Sequence, residues 1–144
     1  MRYQAGSIGR VFVARFEDGE DFLASITGLA GREDIRSAVF FLVGGIKEGR
    51  MVLGPKGDGM PPEPVWGEID GRSELIGTGT IFRDAGGPKV HLHMAAGRGD
   101  SAKVGCLRER SKTFLVLEAV ILEIAGVNAS RETDPVSGLS LLKL

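Results

Sequence analysis

The stretch that decides the fold is residues 87–94, Gly-Pro-Lys-Val-His-Leu-His-Met, which holds both histidines of the chain. If this stretch forms a β-strand, successive side chains point to opposite faces. His91 and His93 then share one face, while Val90, Leu92 and Met94 occupy the other. Two imidazoles placed two residues apart in this way can converge on one metal ion.

A neighbouring strand can supply the third ligand of a partly open metal site, and the only cysteine, Cys106, is the candidate. Two other interpretations stay open. In the first, one histidine faces solvent, the other packs under a loop, and Cys106 is a small buried apolar residue. In the second, Cys106 is a nucleophile and His91 or His93 is its base.

Length and composition predict a single soluble domain spanning residues 1–144. A chain of 144 residues is long enough to bury a real core. Its 42% hydrophobic and 26% charged residues argue against disorder and against a membrane protein. No apolar run approaches the roughly 20 residues of a membrane span, and the first residues lack the features of a secretory signal. One cysteine allows no internal disulfide, which fits a reducing cytosol, so we expect a cytoplasmic protein.

The charge of the chain argues against the broad positive field that holds proteins on nucleic acid. The formal net charge is −1 and the sequence pI is about 6.1. The local basic residues Arg108, Arg110 and Lys112 alternate with Glu109 and are interpreted as a solvated turn and strand edge.

The first part of the chain predicts one strand and one helix. Residues 10–16 are rich in β-branched and aromatic types and are interpreted as a largely buried strand, with Arg15 half-buried at a core edge. The acidic residues 17–21 suit a helix N-terminus. Apolar residues recur at helical spacing from Phe22 to Leu29, and Gly31 is the expected stop.

The middle of the chain predicts short strands separated by turns. They are a central strand at 37–46, a short strand at 51–53, a loop at 54–64 that is either a plain connection or a flap, and strands at 65–70 and 73–82 separated by a turn at Asp70-Gly71.

The remainder continues this pattern. Residues 113–124 form a long apolar strand in which Glu118 must stay near an edge, find a partner or shift its pKa. The tail, residues 131–144, can add an edge strand or dock on a neighbouring subunit. The sequence therefore predicts an α+β fold, a mostly antiparallel sheet with one or two helices packed on it.

Nearly the whole chain resembles the PPC (plants and prokaryotes conserved) domain family, the domain that accompanies AT-hooks in plants. The resemblance rests on residues 10–15 with 19–21, on the strand end at 43–48, and most specifically on residues 87–93. Members of the family normally carry a later Gly-Gly-His-Leu segment, and residues 104–107, Val-Gly-Cys-Leu, match it here.

The resemblance implies an α+β fold on an antiparallel sheet, a homotrimer, and a metal site at His91, His93 and Cys106. Cys106 stands where the family has its third histidine, and a thiolate also binds zinc. Zn²⁺ is the leading metal because it accepts mixed imidazole and thiolate ligands, with iron or copper as alternatives.

Two functions follow. The first is a regulatory or DNA-associated oligomerisation module with a metal site, although the chain lacks the Arg-Gly-Arg-Pro arm of an AT-hook. The alternative is a metal-dependent zinc enzyme or small-ligand sensor, in which a metal-bound water is the reactive group. Such a site also needs an acid or base and a group that orients substrate, and Glu48, Glu118 and Arg15 are the polar candidates.

Overall fold

The structure, a computed structural model, describes residues 1–144 and contains one helix among seven strands. In chain order the elements are β1 (Ser7–Glu17), α1 (Phe22–Arg32), β2 (Ala38–Pro55), β3 (Pro64–Asp84), β4 (Gly87–Arg98), β5 (Ser101–Ala125), β6 (Ser130–Thr133) and β7 (Ser140–Lys143). All strand pairings are antiparallel except a single parallel bridge between β3 and β6. The predicted α+β class with a mostly antiparallel sheet is confirmed.

The strand pairings form a closed circuit around the centre of the sheet. β2 pairs with β3, β3 with β4, β4 with β5, and β5 again with β2. β5 can pair with both β4 and β2 because it is long. Its first part pairs with β4, and most of the remainder pairs with β2. β1 extends the sheet from β5.

The core lies between α1 and the inner face of this sheet. Phe22, Ile26 and Ala30 recur every four residues and form the buried stripe of the helix, as the predicted spacing requires. From the sheet, β4 contributes Leu92 and Met94 to the same core. The strand that carries the two histidines is therefore anchored by its opposite face.

Asp21 caps the N-terminus of α1 and connects it to β5. Its carboxylate accepts hydrogen bonds from the backbone N–H of Ala24 and from both the hydroxyl and the backbone N–H of Ser111. Partial burial acts to raise the pKa of Asp21, but these hydrogen bonds outweigh it and hold the pKa below its ordinary value.

The outer face of the sheet, opposite the helix, is apolar and exposed. Val13, Phe41, Val43, Ile76 and Val104 point outward from β1, β2, β3 and β5, and we call these five residues the outer apolar face. The expectation that residues 10–16 form a largely buried strand is wrong, because alternate residues of β1 point to this face and only its Phe16 is buried.

Two side chains predicted at core edges are also exposed on this side of the sheet. Arg15 is 65% exposed, pairs with Glu17, and so is not half-buried. Glu118 is exposed, and therefore needs no buried partner. Both lie on the outward side because the alternation that buries Phe16 and Leu117 turns their sequence neighbours to solvent.

The turn expected at Asp70-Gly71 is wrong, because residues 64–84 form one strand, β3. Both halves of β3 pair with β2: Asp70 lies opposite Glu48, and Ser73 opposite Ile46. Two residues of β3 therefore face one residue of β2, which is a β-bulge, and Gly71 has the positive φ of +100° there. The predicted strands at 37–46 and 51–53 likewise merge into β2, since β3 and β5 pair along both.

The remaining connections agree with the sequence. Residues 56–63 form the exposed connection between β2 and β3. The tail adds a hairpin, β6 and β7, which joins β3 through the single bridge between Arg83 and Ser130. No helix of the structure is both long enough and apolar enough to cross a membrane.

Candidate metal centre

Two tight turns bring the predicted ligands onto one patch of the sheet. The turn at residues 85–86 sets β4 against β3, so that Thr80 lies opposite His91 and Thr78 opposite His93. The turn at residues 99–100 sets β5 against β4, so that Cys106 lies opposite His93. Cross-strand partners share a face of a sheet, so the three candidate ligands point the same way.

The distances fit a tetrahedral metal. One ligand atom from each of His91, His93 and Cys106 lies within 4.8 Å of the others, and the two Nε2 atoms are 3.2 Å apart. Tetrahedral zinc with Zn–N bonds of about 2.0–2.1 Å separates two nitrogen ligands by about 3.3 Å. The imidazole pair has this spacing, and the sulfur lies within 4.8 Å of the ring nitrogens. Two imidazoles and a thiolate are a donor set that zinc accepts.

The three ligands differ in exposure. His93 is exposed, His91 is half-buried and Cys106 is buried, with 5% of its surface accessible. The group thus lies at a boundary between the interior and the surface, which leaves one side open to a small molecule.

Gly105 explains how Cys106 reaches this position. A Cβ atom at Gly105 would lie 2.3 Å from the backbone oxygen of Val52 on β2. Only glycine permits this approach of the two strands. The Gly-Cys order is therefore a packing requirement as well as a ligand motif.

Arg131, on β6, contacts the cluster from the C-terminal hairpin. Its Nη2 lies 3.2 Å from His91 Nδ1 and donates to Thr80 Oγ1 at 3.1 Å, and its Nη1 donates to the carbonyl oxygen of Ser140. The sequence reasoning missed both Arg131 and Thr80. Thr80 could have been found by counting back from the turn at residues 85–86, whereas no sequence signal relates Arg131 to His91.

The electrostatic environment keeps His91 neutral. Burial lowers the pKa of His91 to about 4, and the charges of Arg131 and Arg108, together with His93, act in the same direction. At neutral pH the ring is therefore uncharged, which is the form of histidine that binds a metal.

Cys106 is held as a thiol in the absence of metal. Burial raises its pKa, and the opposing effects of Arg108 and Arg131 are smaller. A thiol of this kind is a poor nucleophile, so the interpretation of Cys106 as a catalytic nucleophile has no support from its surroundings. A metal ion can still bind it by displacing the proton.

None of the three polar candidates for catalysis joins the cluster. Glu48 lies opposite Lys112, and Glu118 lies opposite Arg15. No aspartate or glutamate belongs to the ligand group. The arrangement can hold a metal ion with a vacant fourth position, but it provides no carboxylate base beside it.

Comparison with known proteins agrees with this architecture. A model of the Plants and Prokaryotes Conserved (PCC) domain matches residues 3–125. No curated protein matches the chain.

Three solved structures share the fold. A metal-containing protein from Archaeoglobus fulgidus is 21% identical, with a TM-score of 0.86 and 100% of each chain covered. A plant- and prokaryote-conserved protein from Pyrococcus horikoshii is 25% identical, with a TM-score of 0.85 and coverage of 100% of this chain and 98% of that one. A candidate DNA-binding protein from Ralstonia eutropha is 21% identical, with a TM-score of 0.77 and coverage of 92% and 90%.

Proposed function

Since the chain belongs to the Plants and Prokaryotes Conserved (PCC) domain family, as its resemblance to PPC proteins predicted, we propose that it is a metal-binding module of that family. His91, His93 and Cys106 hold the ion, and Zn²⁺ is the metal that their donor atoms suit best. The observation that carries this proposal is the convergence of the three ligand atoms within 4.8 Å. The similarity in fold to a metal-containing protein from Archaeoglobus fulgidus supports it.

The module binds a small ligand at the open position of the metal. Bound zinc supplies a Lewis-acid position there, which water or a ligand atom can occupy. Because no carboxylate accompanies the ligands, the site suits recognition of a small molecule better than acid–base catalysis. Within the alternative that the sequence left open, a zinc enzyme or a small-ligand sensor, this favours the sensor.

Metal analysis of the protein tests the site. Protein produced without a histidine tag should contain about one zinc ion per chain after dialysis. His91→Ala and Cys106→Ser should each remove it, while Thr78→Ala, beside His93 on the same face, should retain it. Metal content that is equal in all four proteins would exclude these ligands.

We further propose that the protein is a homotrimer in which neighbouring subunits cover the outer apolar face. Five large apolar side chains lie exposed together there, and Ile76 is 65% and Val104 66% accessible. A contiguous apolar surface of this kind is typical of an interface. The number of subunits comes from the resemblance to PPC proteins.

Light scattering with a charged substitution tests the trimer. The wild-type protein should have three times the chain mass, and Val43→Lys should reduce it to one. Val136→Lys is the matched control, because Val136 is an exposed valine of the tail and is not one of the five residues of this face. A monomeric wild type at micromolar concentration, or a trimer that Val43→Lys leaves intact, would refute the proposal.

Association with DNA is the second candidate function, and the similarity in fold to the candidate DNA-binding protein from Ralstonia eutropha favours it. The net charge of −1 restricts such binding to a local basic patch. Fluorescence anisotropy with an AT-rich duplex at low ionic strength, and a GC-rich duplex as control, tests this function. A salt-dependent signal supports it, and no signal at low salt removes it.

A further inference from the structure

A polar cavity lies where the C-terminal hairpin meets the turn between β3 and β4. It has a volume of about 870 Å³, which is in the range of small-molecule sites. It is lined by residues 83–86 and Lys89, by residues 127–133 and Ser140, and by Arg36 and Ser37. None of the three metal ligands and none of the five residues of the outer apolar face lines it. The cavity is therefore distinct from both surfaces described above.

The carboxylates in the wall of this cavity are already neutralised by lysines. Asp84 pairs with Lys89 at 3.2 Å, and Glu132 pairs with Lys143 at 2.7 Å. Neither carboxylate forms an ion pair with an arginine. The three arginines of the wall must therefore find other partners.

Two of these arginines share one carboxylate. Asp34, which is not part of the wall, forms an ion pair with Arg83 and a longer one, of 3.9 Å, with Arg36. The side chain of Arg36 remains 80% exposed. One negative charge between two guanidinium groups leaves a surplus of one positive charge.

The third arginine, Arg131, has no carboxylate partner. Its Nη2 donates to Thr80 Oγ1 and contacts His91 Nδ1, its Nη1 donates to the carbonyl oxygen of Ser140, and its buried Nε has no partner. Around the cavity, five cations meet three carboxylates, which leaves a local net charge of +2. The whole chain has a net charge of −1, so this surplus is a local feature. Guanidinium groups without their own carboxylates suit an anion with several oxygen atoms.

The uncharged part of the wall is mainly polar and contains no aromatic ring. Its hydroxyl and amide side chains are those of Ser37, Asn128, Ser130, Thr133 and Ser140. Such groups both donate and accept hydrogen bonds, and so complement the hydroxyl groups of a sugar. Stacking on aromatic side chains is a common way to bind a nucleobase, and this cavity offers none. The wall therefore suits a polyol better than a nucleotide.

We propose that this cavity binds a phosphorylated sugar or a similar polyol phosphate. Arg131 binds the phosphate group together with Arg36 and Arg83, and the hydroxyl and amide side chains bind the polyol. A phosphate monoester carries a charge of about −1.5 to −2 at pH 7, which the local surplus balances. More than half of the wall belongs to residues 127–140, outside the residues 3–125 that the family model matches. The site is therefore contributed largely by the C-terminal tail.

Isothermal titration calorimetry at low ionic strength tests this inference. The untagged protein is titrated with glucose 6-phosphate and with glycerol 3-phosphate, and separately with glucose and with inorganic phosphate. At least one of the two polyol phosphates should bind more tightly than inorganic phosphate, because only a polyol phosphate uses both parts of the wall. Glucose lacks the charge and should give no signal.

Three substitutions locate the site. Arg131→Gln should weaken the binding of the polyol phosphate by about tenfold or more, because it removes charge-assisted hydrogen bonds. Arg36→Gln should weaken it by about two- to fivefold. Because Arg36 is exposed, this variant decides the matter if Arg131→Gln does not fold. Arg98→Gln is the control: it removes one positive charge at the exposed end of β4, outside the cavity wall, and should leave the affinity unchanged.

Cys106→Ser separates this site from the metal centre. It changes a proposed metal ligand but no residue of the cavity, so it should bind the polyol phosphate as the wild type does. Loss of binding in Cys106→Ser would place the ligand on the metal and overturn the inference.

Three other results would also overturn it. The first is that neither polyol phosphate binds, and the second is that inorganic phosphate binds as tightly, which would mean an adventitious ion only. The third is that Arg98→Gln weakens binding as much as Arg36→Gln does. An AT-rich duplex that binds when both polyol phosphates fail, and that Arg131→Gln weakens, would assign these arginines to a nucleic-acid backbone instead.

Discussion

A methyl group added at Gly105 should weaken both the fold and the metal centre. The Cβ atom of Gly105→Ala would lie 2.3 Å from the carbonyl oxygen of Val52, 3.0 Å from its carbonyl carbon and 3.1 Å from Met51 Cε. The flexible methionine can move away, but the backbone of Val52 cannot, because it is paired with Cys106 on one side and Trp66 on the other. The strands β2 and β5 must therefore separate locally.

Two opposing effects set the magnitude. Replacing glycine by alanine restricts the unfolded chain and stabilises the protein by about 0.4–1 kcal/mol where the native site has room. Overpacking in a closed interior costs about 1–3 kcal/mol, and a clash with backbone falls at the upper end. The net loss should be about 1–2 kcal/mol, which lowers the Tm of a chain of this length by about 2–8 °C. Because Cys106 is the next residue, its sulfur should also move away from the histidines, and the affinity for Zn²⁺ should fall by about tenfold or more.

Thermal and urea unfolding, followed by a zinc titration, would check this prediction. Gly57→Ala is the matched control, since Gly57 lies in the exposed connection with nothing within 4 Å of the added atom. It should change the free energy of unfolding by less than about 0.5 kcal/mol in the destabilising direction. If Gly105→Ala unfolds at the same temperature as Gly57→Ala and binds zinc as tightly as the wild type, the close strand approach does not exist as described.

Three further outcomes are expected. Leu92→Ala, which empties a fully buried position between the two histidines, should cost about 2–5 kcal/mol in urea unfolding, whereas Leu139→Ala at an exposed site should cost about 0.5 kcal/mol or less. Zn²⁺ at about one hundred times its Kd should raise the free energy of unfolding of the wild type by about 2.7 kcal/mol. An equal rise in Cys106→Ser would contradict the assignment of Cys106 as a metal ligand. The pKa of Asp21 is lowered in the folded state, so the ionised carboxylate stabilises the fold above its ordinary pKa. This stabilisation is lost as the pH falls through the lower pKa of the folded state, so Asp21→Asn should lose less stability on acidification than the wild type. Equal acid sensitivity of the two proteins would show that the carboxylate has no such role.

The convergence of His91, His93 and Cys106 could be predicted from local sequence because two short turns fix the register. Alternation placed His91 and His93 on one face, and the turn after Arg98 places Cys106 opposite His93. Once a two-residue turn is located, every cross-strand pair of the hairpin follows by counting. The site therefore depends on a few local interactions that the sequence expresses directly.

The long strands and the exposed apolar face could not be read in the same way. The glycine at Gly71 is typical of a turn, yet here it forms a bulge, because β2 pairs with the residues on both sides of it. Apolar residues such as Val13 and Phe41 are typical of a core, yet they face outward because α1 covers the other side of the sheet. Both outcomes depend on pairings between distant residues, and the same holds for Arg131, which approaches His91 from 40 residues away in the sequence.

The strand β4 serves two purposes along one short length. Leu92 and Met94 are locked in the interior, and the histidines between and before them emerge on the reverse side of the same backbone. The backbone entropy of placing the two histidines on one face is therefore lost when the core forms, before any ion arrives. Loading requires only side-chain torsions, so the ion should enter and leave a folded protein, in contrast to a zinc finger, whose chain folds around its metal. A site of this kind can follow changes in metal or ligand supply without unfolding between them.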